Sequence, residues 1–173
     1  TNDIPAVGSY AFEGCVKLIA VNFPQERTYR PIGFGSYVFS GCDKMTELTL
    51  PEYTNTIATY AFEGMKIREI VIPASVSQGG TVLYRLQDYA FKDCTELVSV
   101  IIKSTNLATL RPGLFEGCSK LTTLIIEHPE TVAEICANAF NGCTSLTSFT
   151  VPSTVTKMGA NVFNGWTAQQ KIV

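Results

Sequence analysis

The sequence predicts an α/β solenoid, a stack of short repeated coils in which equivalent strands pair into a parallel sheet. A phenylalanine recurs seven times along the 173 residues, and an apolar triplet with the alternation of a half-buried strand follows six of the seven copies. No segment carries the sustained apolar spacing of a long helix. We therefore expect only a short 3₁₀ or single-turn helix in the return arm of each coil.

The phenylalanines define the repeat. Each stands in a variant of one segment, which reads Tyr-Ala-Phe-Glu-Gly-Cys in the first copy, and successive gaps are 27, 23, 29, 24, 25 and 23 residues. The seven are Phe12, Phe39, Phe62, Phe91, Phe115, Phe140 and Phe163. Five positions before each lies a second apolar residue: Val7, Phe34, Ile57, Leu86, Leu110, Ile135 and Met158. The minimum gap of 23 residues is the basal period, and the longer gaps are insertions.

The triplets predict the strands. They are Leu18/Val21/Phe23, Met45/Leu48/Leu50, Ile67/Ile70/Ile72, Leu97/Val100/Ile102, Leu121/Leu124/Ile126 and Leu146/Phe149/Val151. The last two members of each alternate around one residue, as in a strand with one buried face. Proline follows four triplets and ends the strand, because it cannot donate to a ladder. A single coil cannot bury its apolar face alone, so neighbouring coils must stack and complete one parallel sheet.

The composition excludes several classes of function. The chain has 13 basic and 15 acidic side chains, a formal net charge of -2 and only 16% charged residues. This balance excludes the cationic surface of a nucleic-acid-binding protein. No apolar run approaches the roughly 18 residues of a membrane span. We therefore expect no nucleic-acid partner and no direct membrane insertion of this chain.

The repeat pattern resembles a known family. L-x-x-L-x-L-P, then an apolar residue with glycine, then A-F-x-G-C is similar to the BspA-like leucine-rich repeats of bacterial surface proteins, and the best copies lie at 39–51 and 140–152. The resemblance covers the whole chain in about six and a half repeats, although Met65 replaces the cysteine and Leu114 the alanine. It implies a right-handed leucine-rich repeat horseshoe with the sheet on its concave face and the short helices on its convex face.

The resemblance also carries expectations about domain organisation and location. We expect one domain over 1–173, with a partial first coil at 1–12 and a terminal capping repeat at about 158–173. The family implies an exported protein, extracellular or displayed at the cell surface, and several members are thought to act in adhesion to host proteins. The open first coil indicates a fragment of a larger surface protein.

No catalytic, metal-binding or cofactor-binding constellation emerges from the sequence. Five of the six cysteines share one repeat column, where parallel Cβ directions favour buried free thiols over disulfides. The single histidine is His128, and we expect no cysteine thiol beside it that could form a Cys-His nucleophilic pair. Glu47 and Glu69 would lie on neighbouring strands, but a solvated charge cluster is the favoured interpretation. We expect a non-enzymatic protein; paired carboxylates with shifted pKa values in a cleft would favour a carbohydrate-active enzyme instead.

Two surfaces are candidate binding sites. On the predicted concave face, the residues between the buried triplet positions include Thr49, Val71, Val98, Ile101, Ile125 and Thr150. An exposed apolar patch there would mark an interaction site, whereas the alternative is that β-branched residues simply favour strands. The second surface is the edge that carries the insertions at 25–33 and 74–85, with Arg27, Tyr29, Arg30, Tyr84 and Arg85. Tyrosine and arginine dominate binding hot spots, although loop growth is also tolerated without function.

These observations and the family resemblance predict a non-catalytic, extracellular module that binds a protein or glycan ligand, such as an extracellular host ligand, through the concave sheet and the adjoining loops. The alternative is a purely structural spacer or stalk within a larger surface protein.

Overall fold

The structure is a computed structural model that describes residues 6–24, 31–77, 85–167 and 170–173. Within these ranges it contains eleven short strands and one 3₁₀ helix, Pro129–Thr131. The strands are β1 (Ala6–Val7), β2 (Ile32–Phe34), β3 (Thr54–Ile57), β4 (Glu69–Ile72), β5 (Ser99–Ile102), β6 (Thr109–Leu110), β7 (Thr123–Ile126), β8 (Glu134–Ile135), β9 (Ser148–Phe149), β10 (Lys157–Met158) and β11 (Lys171–Ile172). All the pairings between them are parallel, which confirms the solenoid.

One column of strands contains the apolar residues that precede each phenylalanine. β1, β2 and β3 form one sheet, and β6, β8 and β10 form another. Val7 is paired with Phe34, Phe34 with Ile57, and Ile57 bridges to Leu86. The second apolar column of the sequence is therefore a real row of the structure, in the predicted register.

The other column is the triplet sheet. Here β4, β5 and β7 pair without a register shift, so that Ile70, Val100 and Leu124 form one row and Ile72, Ile102 and Ile126 another. β9 pairs separately with β11. The inward residues are those that the triplets predicted, because the alternation of the strand places every second side chain in the core.

The prediction of one continuous triplet sheet is wrong at both ends of this three-stranded unit. In the described chain, residues 45–50 form no strand and pair neither with 18–23 nor with β4, and β9 pairs with β11 rather than with β7. The same two coils that fail to pair at residues 45–50 and β4 also have a bulge between β2 and β3, where Ile32 pairs with Thr54 but Gly33 pairs with Thr56. A bulge bends the strand that carries it. Phe23, where other coils carry smaller residues, packs edge-on against Phe34 with ring centroids 5.2 Å apart.

The phenylalanine column forms the centre of the core. The rings of successive coils lie 5.1 to 6.1 Å apart, from Phe12 through to Phe163. The five central rings are completely buried, whereas Phe12 and Phe163 at the two ends are partly exposed. The coils therefore pool their side chains into one interior, as the repeat predicts.

The return arms are chains of turns rather than the expected short helices. In the arm of Phe62, the N–H groups of Ala61, Glu63 and Met65 donate to the carbonyl three residues earlier. The intervening N–H groups of Tyr60, Phe62 and Gly64 donate to carbonyls of the next coil, at 2.8 to 3.2 Å. Because every second donor is used between coils, the arm cannot continue as a helix. The arms thus act as a further hydrogen-bonded seam.

Candidate binding surface

Three predicted residues form one exposed row on the triplet sheet. Val71, Ile101 and Ile125 are direct register partners on β4, β5 and β7. Val71 is 38% and Ile125 47% exposed, and Ile101 between them is half-buried. Val98, just before β5, is also 38% exposed. We call Val71, Ile101 and Ile125 the apolar row, because the paired sheet directs their side chains to one face; Val98 lies outside this row, beyond Ser99.

Thr49 and Thr150 lie outside the paired sheet. Both are exposed, as predicted, but Thr49 belongs to the unpaired segment 45–50 and Thr150 follows β9. The polar boundary of the apolar row includes Glu69, Ser99 and Thr123, which form the preceding register row of the sheet. The structure therefore brings together three of the six predicted residues, Val71, Ile101 and Ile125, whereas Thr49, Val98 and Thr150 lie outside their row.

The gap beside β4 creates a groove that the sequence did not indicate. Thr46, Glu47, Leu48 and Thr49 line one side and Arg68 and Glu69 the other, around a volume of about 550 Å³. A second depression of about 300 Å³ continues it along Leu50, Val71 and Lys103. We call the two together the coil 2–3 slot. Nothing in the sequence predicts this slot, because residues 46–51 carry the same strand pattern as the equivalent segments that do pair.

The insertion-loop prediction is mostly outside the described residues. Arg27, Tyr29, Arg30 and Tyr84 all fall in the undescribed segments. Arg85 is half-buried: its carbonyl oxygen accepts the N–H of Ile57 at 2.7 Å, and its Nη1 donates to the carbonyl of Asn55 at 3.5 Å. These contacts tie Arg85 to the previous coil.

The cysteine column is a ladder of unpaired thiols, and all six cysteines are free. In four coils the thiol donates a hydrogen bond to a phenylalanine carbonyl of the preceding coil, with sulfur–oxygen distances of 3.0 to 3.1 Å. The pairs are Cys42 to Phe12, Cys94 to Phe62, Cys118 to Phe91 and Cys143 to Phe115. Burial raises the pKa of Cys94 and of Cys143 to about 12. These thiols serve packing and hydrogen bonding between coils, and they are too weakly acidic to act as nucleophiles.

Other candidate chemistry has no supporting geometry in the described part of the chain. His128 Nδ1 lies 3.2 Å from Glu130 Oε1 at an exposed corner. Glu47 and Glu69 are both exposed along the slot. No group of three or more potential metal ligands occurs among the described residues. None of the described segments forms a helix long and apolar enough to cross a bilayer.

A second regular feature is a stack of tyrosine rings along the arms, which the sequence analysis missed. Tyr10, Tyr37, Tyr60 and Tyr89 stack with centroids 4.8 to 5.2 Å apart and planes within 12° of parallel. All four have φ between 55° and 62°, a conformation that bulky residues seldom adopt. The stack ends at Gly113, where a Cβ would lie 2.1 Å from the Tyr89 ring. The recurring tyrosine two residues before phenylalanine was the available signal.

The family described as the BspA type leucine rich repeat region (6 copies) matches residues 1–85 and 80–173. The chain belongs to this family. Its leucine-rich repeats thus account for the whole sequence, as the motif resemblance implied.

A solved leucine-rich repeat structure shares the fold. A leucine-rich repeat protein from Eubacterium ventriosum is 25% identical with a TM-score of 0.57, over 79% of this chain and 41% of that one. One from Bacteroides ovatus is 21% identical with a TM-score of 0.48, over 96% of this chain and 62% of that one. The chain therefore spans less than two thirds of either protein. No curated protein sequence matches it.

Proposed function

We propose that this leucine-rich repeat chain is a non-catalytic module that binds a protein or glycan ligand at the bacterial cell surface through the apolar row. The observation that carries the proposal is the register of Val71, Ile101 and Ile125, which aligns three β-branched side chains on one exposed sheet. A contiguous apolar patch on a rigid scaffold is typical of an interaction site. The family supports the bacterial surface location, because its members are typically surface-associated.

The test is a binding panel of extracellular matrix proteins and glycans, with the wild type and the Ile101→Glu variant. A carboxylate in the centre of the row would be desolvated by a bound ligand, so we expect affinity to fall at least about tenfold. Ile125→Glu repeats the test at a more exposed position, where the substitution threatens folding least. Val16→Glu is the matched control, because Val16 is 53% exposed but belongs to the first coil.

Two outcomes would contradict the proposal. If the wild type binds a ligand and both row variants bind it equally well, the ligand uses another surface. If the wild type binds nothing in a broad panel, the spacer or stalk function becomes the better account. The surface location is tested separately by protease shaving of intact cells, which should remove this chain.

A further inference from the structure

The coil 2–3 slot exposes backbone hydrogen-bonding groups from the edge of β4. In a parallel pair, alternate residues bond to opposite neighbours. The carbonyls of Arg68 and Ile72 accept N–H groups from β5, of Ser99 at 3.1 Å and of Lys103 at 3.0 Å. The N–H and C=O groups of Glu69 and Val71 therefore point the other way, toward the slot. Among the described residues, neither has a backbone partner there.

The opposite wall of the slot carries a second unpaired backbone. Leu48 and Leu50 are equivalent by repeat to Ile70 and Ile72, whose backbones face the following coil. Over 46–50, the described chain shows no backbone hydrogen bond to β4. The slot is thus bounded by the free edge of β4 on one side and by the unpaired segment 46–50 on the other. An unpaired edge is a template for another strand.

The two coils stay joined elsewhere, so the slot has fixed walls. On the arm side, the N–H groups of Phe39 and Gly41 donate to Ala61 and Glu63, at 3.0 and 3.3 Å. Below the slot, the side chains of Leu48 and Ile70 remain at most 7% exposed, so the core is closed. The larger depression, about 550 Å³, lies within the range of roughly 300–1,000 Å³ that is usual for ligand sites.

We propose that the coil 2–3 slot binds an extended peptide segment of another protein, which inserts as a parallel strand between residues 47–50 and β4. Main-chain hydrogen bonds supply affinity in this mode, and the flanking side chains select the sequence. The proposal rests on the proposed function in treating the triplet sheet as a binding face. It adds the chemical class of the partner and a site beside the apolar row.

The walls also specify the inserted side chains. An outward residue in the row of Glu47 and Glu69 would lie near two exposed carboxylates, which outnumber the one cation among the described residues of this depression, Arg68, and so favour lysine or arginine. The next residue faces the closed floor of the slot, which Leu48 and Ile70 form, so it must be small and apolar. The third points outward between Thr49 and Val71, where a β-branched residue fits. The expected motif is basic, small apolar, then β-branched.

The probe for the test is a labelled, capped peptide that contains Lys-Val-Thr-Val, measured by fluorescence anisotropy against the full chain. The control peptide carries N-methyl groups on the backbone amides of the first valine and of the threonine, and the protein itself is unchanged. We expect binding of the first peptide below about 1 mM and at least about tenfold weaker binding of the second, because two backbone donors are lost. Equal binding of the two peptides, or no binding of the first, would overturn the proposal.

Variants of the protein place the peptide in the slot. Val71→Pro removes a slot-facing N–H without breaking the β4–β5 ladder, since proline is tolerated on an edge. Val71→Thr keeps the N–H with a similar shape. We expect Val71→Pro to weaken binding at least about tenfold and Val71→Thr no more than about twofold. Equal losses in the two would point to the side chain and overturn strand insertion.

Two further arms separate this proposal from the proposed function. Ile101→Glu should leave peptide affinity within about twofold, because β4 separates Ile101 from the slot, although the same variant should weaken binding of a panel ligand at least about tenfold. Loss of both would mean that the peptide lies on the apolar row, which contradicts insertion. Concentration-dependent dimerisation that Val71→Pro abolishes would assign the slot to a second copy of the chain and would also overturn the proposal.

Discussion

At the scale of single residues, the left-handed positions determine which side chains the arms tolerate. Each described arm has two residues with positive φ: the tyrosine column, which becomes glycine or asparagine in later coils, and the glycine that precedes the cysteine column. Asp93 replaces that glycine in one coil, at φ 56°. The Gly-Cys signature of the repeat is therefore a backbone requirement followed by a packing requirement.

Gly113→Ala and Gly64→Ala separate the cost of backbone strain from that of a clash. Gly64 has φ 71° and no atom within 4 Å of an added Cβ, so alanine should cost about 1–2 kcal/mol. At Gly113, with φ 56°, the Cβ would also strike the Tyr89 ring at 2.1 Å, which should add about 1–3 kcal/mol. Urea unfolding measures both. Equal destabilisation would show that the tyrosine stack yields freely.

The thiol ladder should be protected from alkylation. With a pKa of about 12, only about one in ten thousand of the Cys94 and Cys143 thiols is ionised at pH 8. Iodoacetamide should modify half-buried Cys15 first and should reach Cys94, Cys118 and Cys143 only after unfolding in urea. Peptide mapping by mass spectrometry follows each site. Modification of Cys118 in the native protein at the rate of Cys15 would contradict the buried ladder.

The same burial predicts a loss of stability at alkaline pH. The folded state raises the pKa of Cys94 and Cys143 from 9.0 to about 12, so the unfolded chain releases these protons first. The stabilisation is complete below about pH 9 and falls as the pH rises toward 12. The Cys94→Ala/Cys143→Ala variant should show a shallower fall in Tm between pH 8 and 10.5. An identical fall in the variant would assign the effect to other groups.

At the scale of elements, position within the stack sets the value of each phenylalanine. Phe91 is fully buried with rings on both sides, 5.3 Å from Phe62 and 5.6 Å from Phe115. Phe12 is partly exposed and has one stacked neighbour, Phe39. Phe91→Leu should destabilise by about 2 kcal/mol and Phe12→Leu by less than about 1 kcal/mol. Chemical denaturation checks the difference, and equal costs would contradict a shared core.

The elements also show where sequence reasoning succeeds and where it ends. The rows through Ile57 and through Ile70 could be predicted because burial alternates along each strand and the repeat fixes the equivalence of coils. The gap beside Leu48 could not, since pairing depends on the neighbouring coil and not on the strand itself. Thr49 and Val71 occupy equivalent positions in the repeat, yet only Val71 lies in a sheet.

The tyrosine stack illustrates the same limit. Tyr37 and Tyr60 stand at equivalent positions of the repeat, two residues before the phenylalanine, and nothing local predicts φ near 55° for an aromatic residue. The conformation becomes acceptable only when equivalent rings lie 4.8 Å apart in the stacked coils. The candidate binding row was predictable to a greater extent, because alternation alone identified Val71, Ile101 and Ile125 as outward-facing.

At the scale of the whole molecule, the leucine-rich repeats form a one-dimensional stack with three seams: the phenylalanine core, the hydrogen-bonded arms and the triplet strands. The first two extend through the described coils, whereas the described triplet strands pair only in two separate groups, β4–β5–β7 and β9–β11. The stack can therefore hold its shape while one face remains open. Stability in such arrays arises from contacts between neighbours, so the opening does not separate the coils.

Native-state hydrogen exchange at single-residue resolution tests this arrangement most directly, because two adjacent amides of β4 point in opposite directions. The N–H of Ile72 bonds to β5, whereas the N–H of Val71 faces the slot. We expect Val71 to exchange at least about a hundredfold faster than Ile72, and to become protected when the peptide probe is added. Equal, slow exchange of Val71 and Ile72 in the free protein would show that the triplet sheet is closed, and would contradict the account.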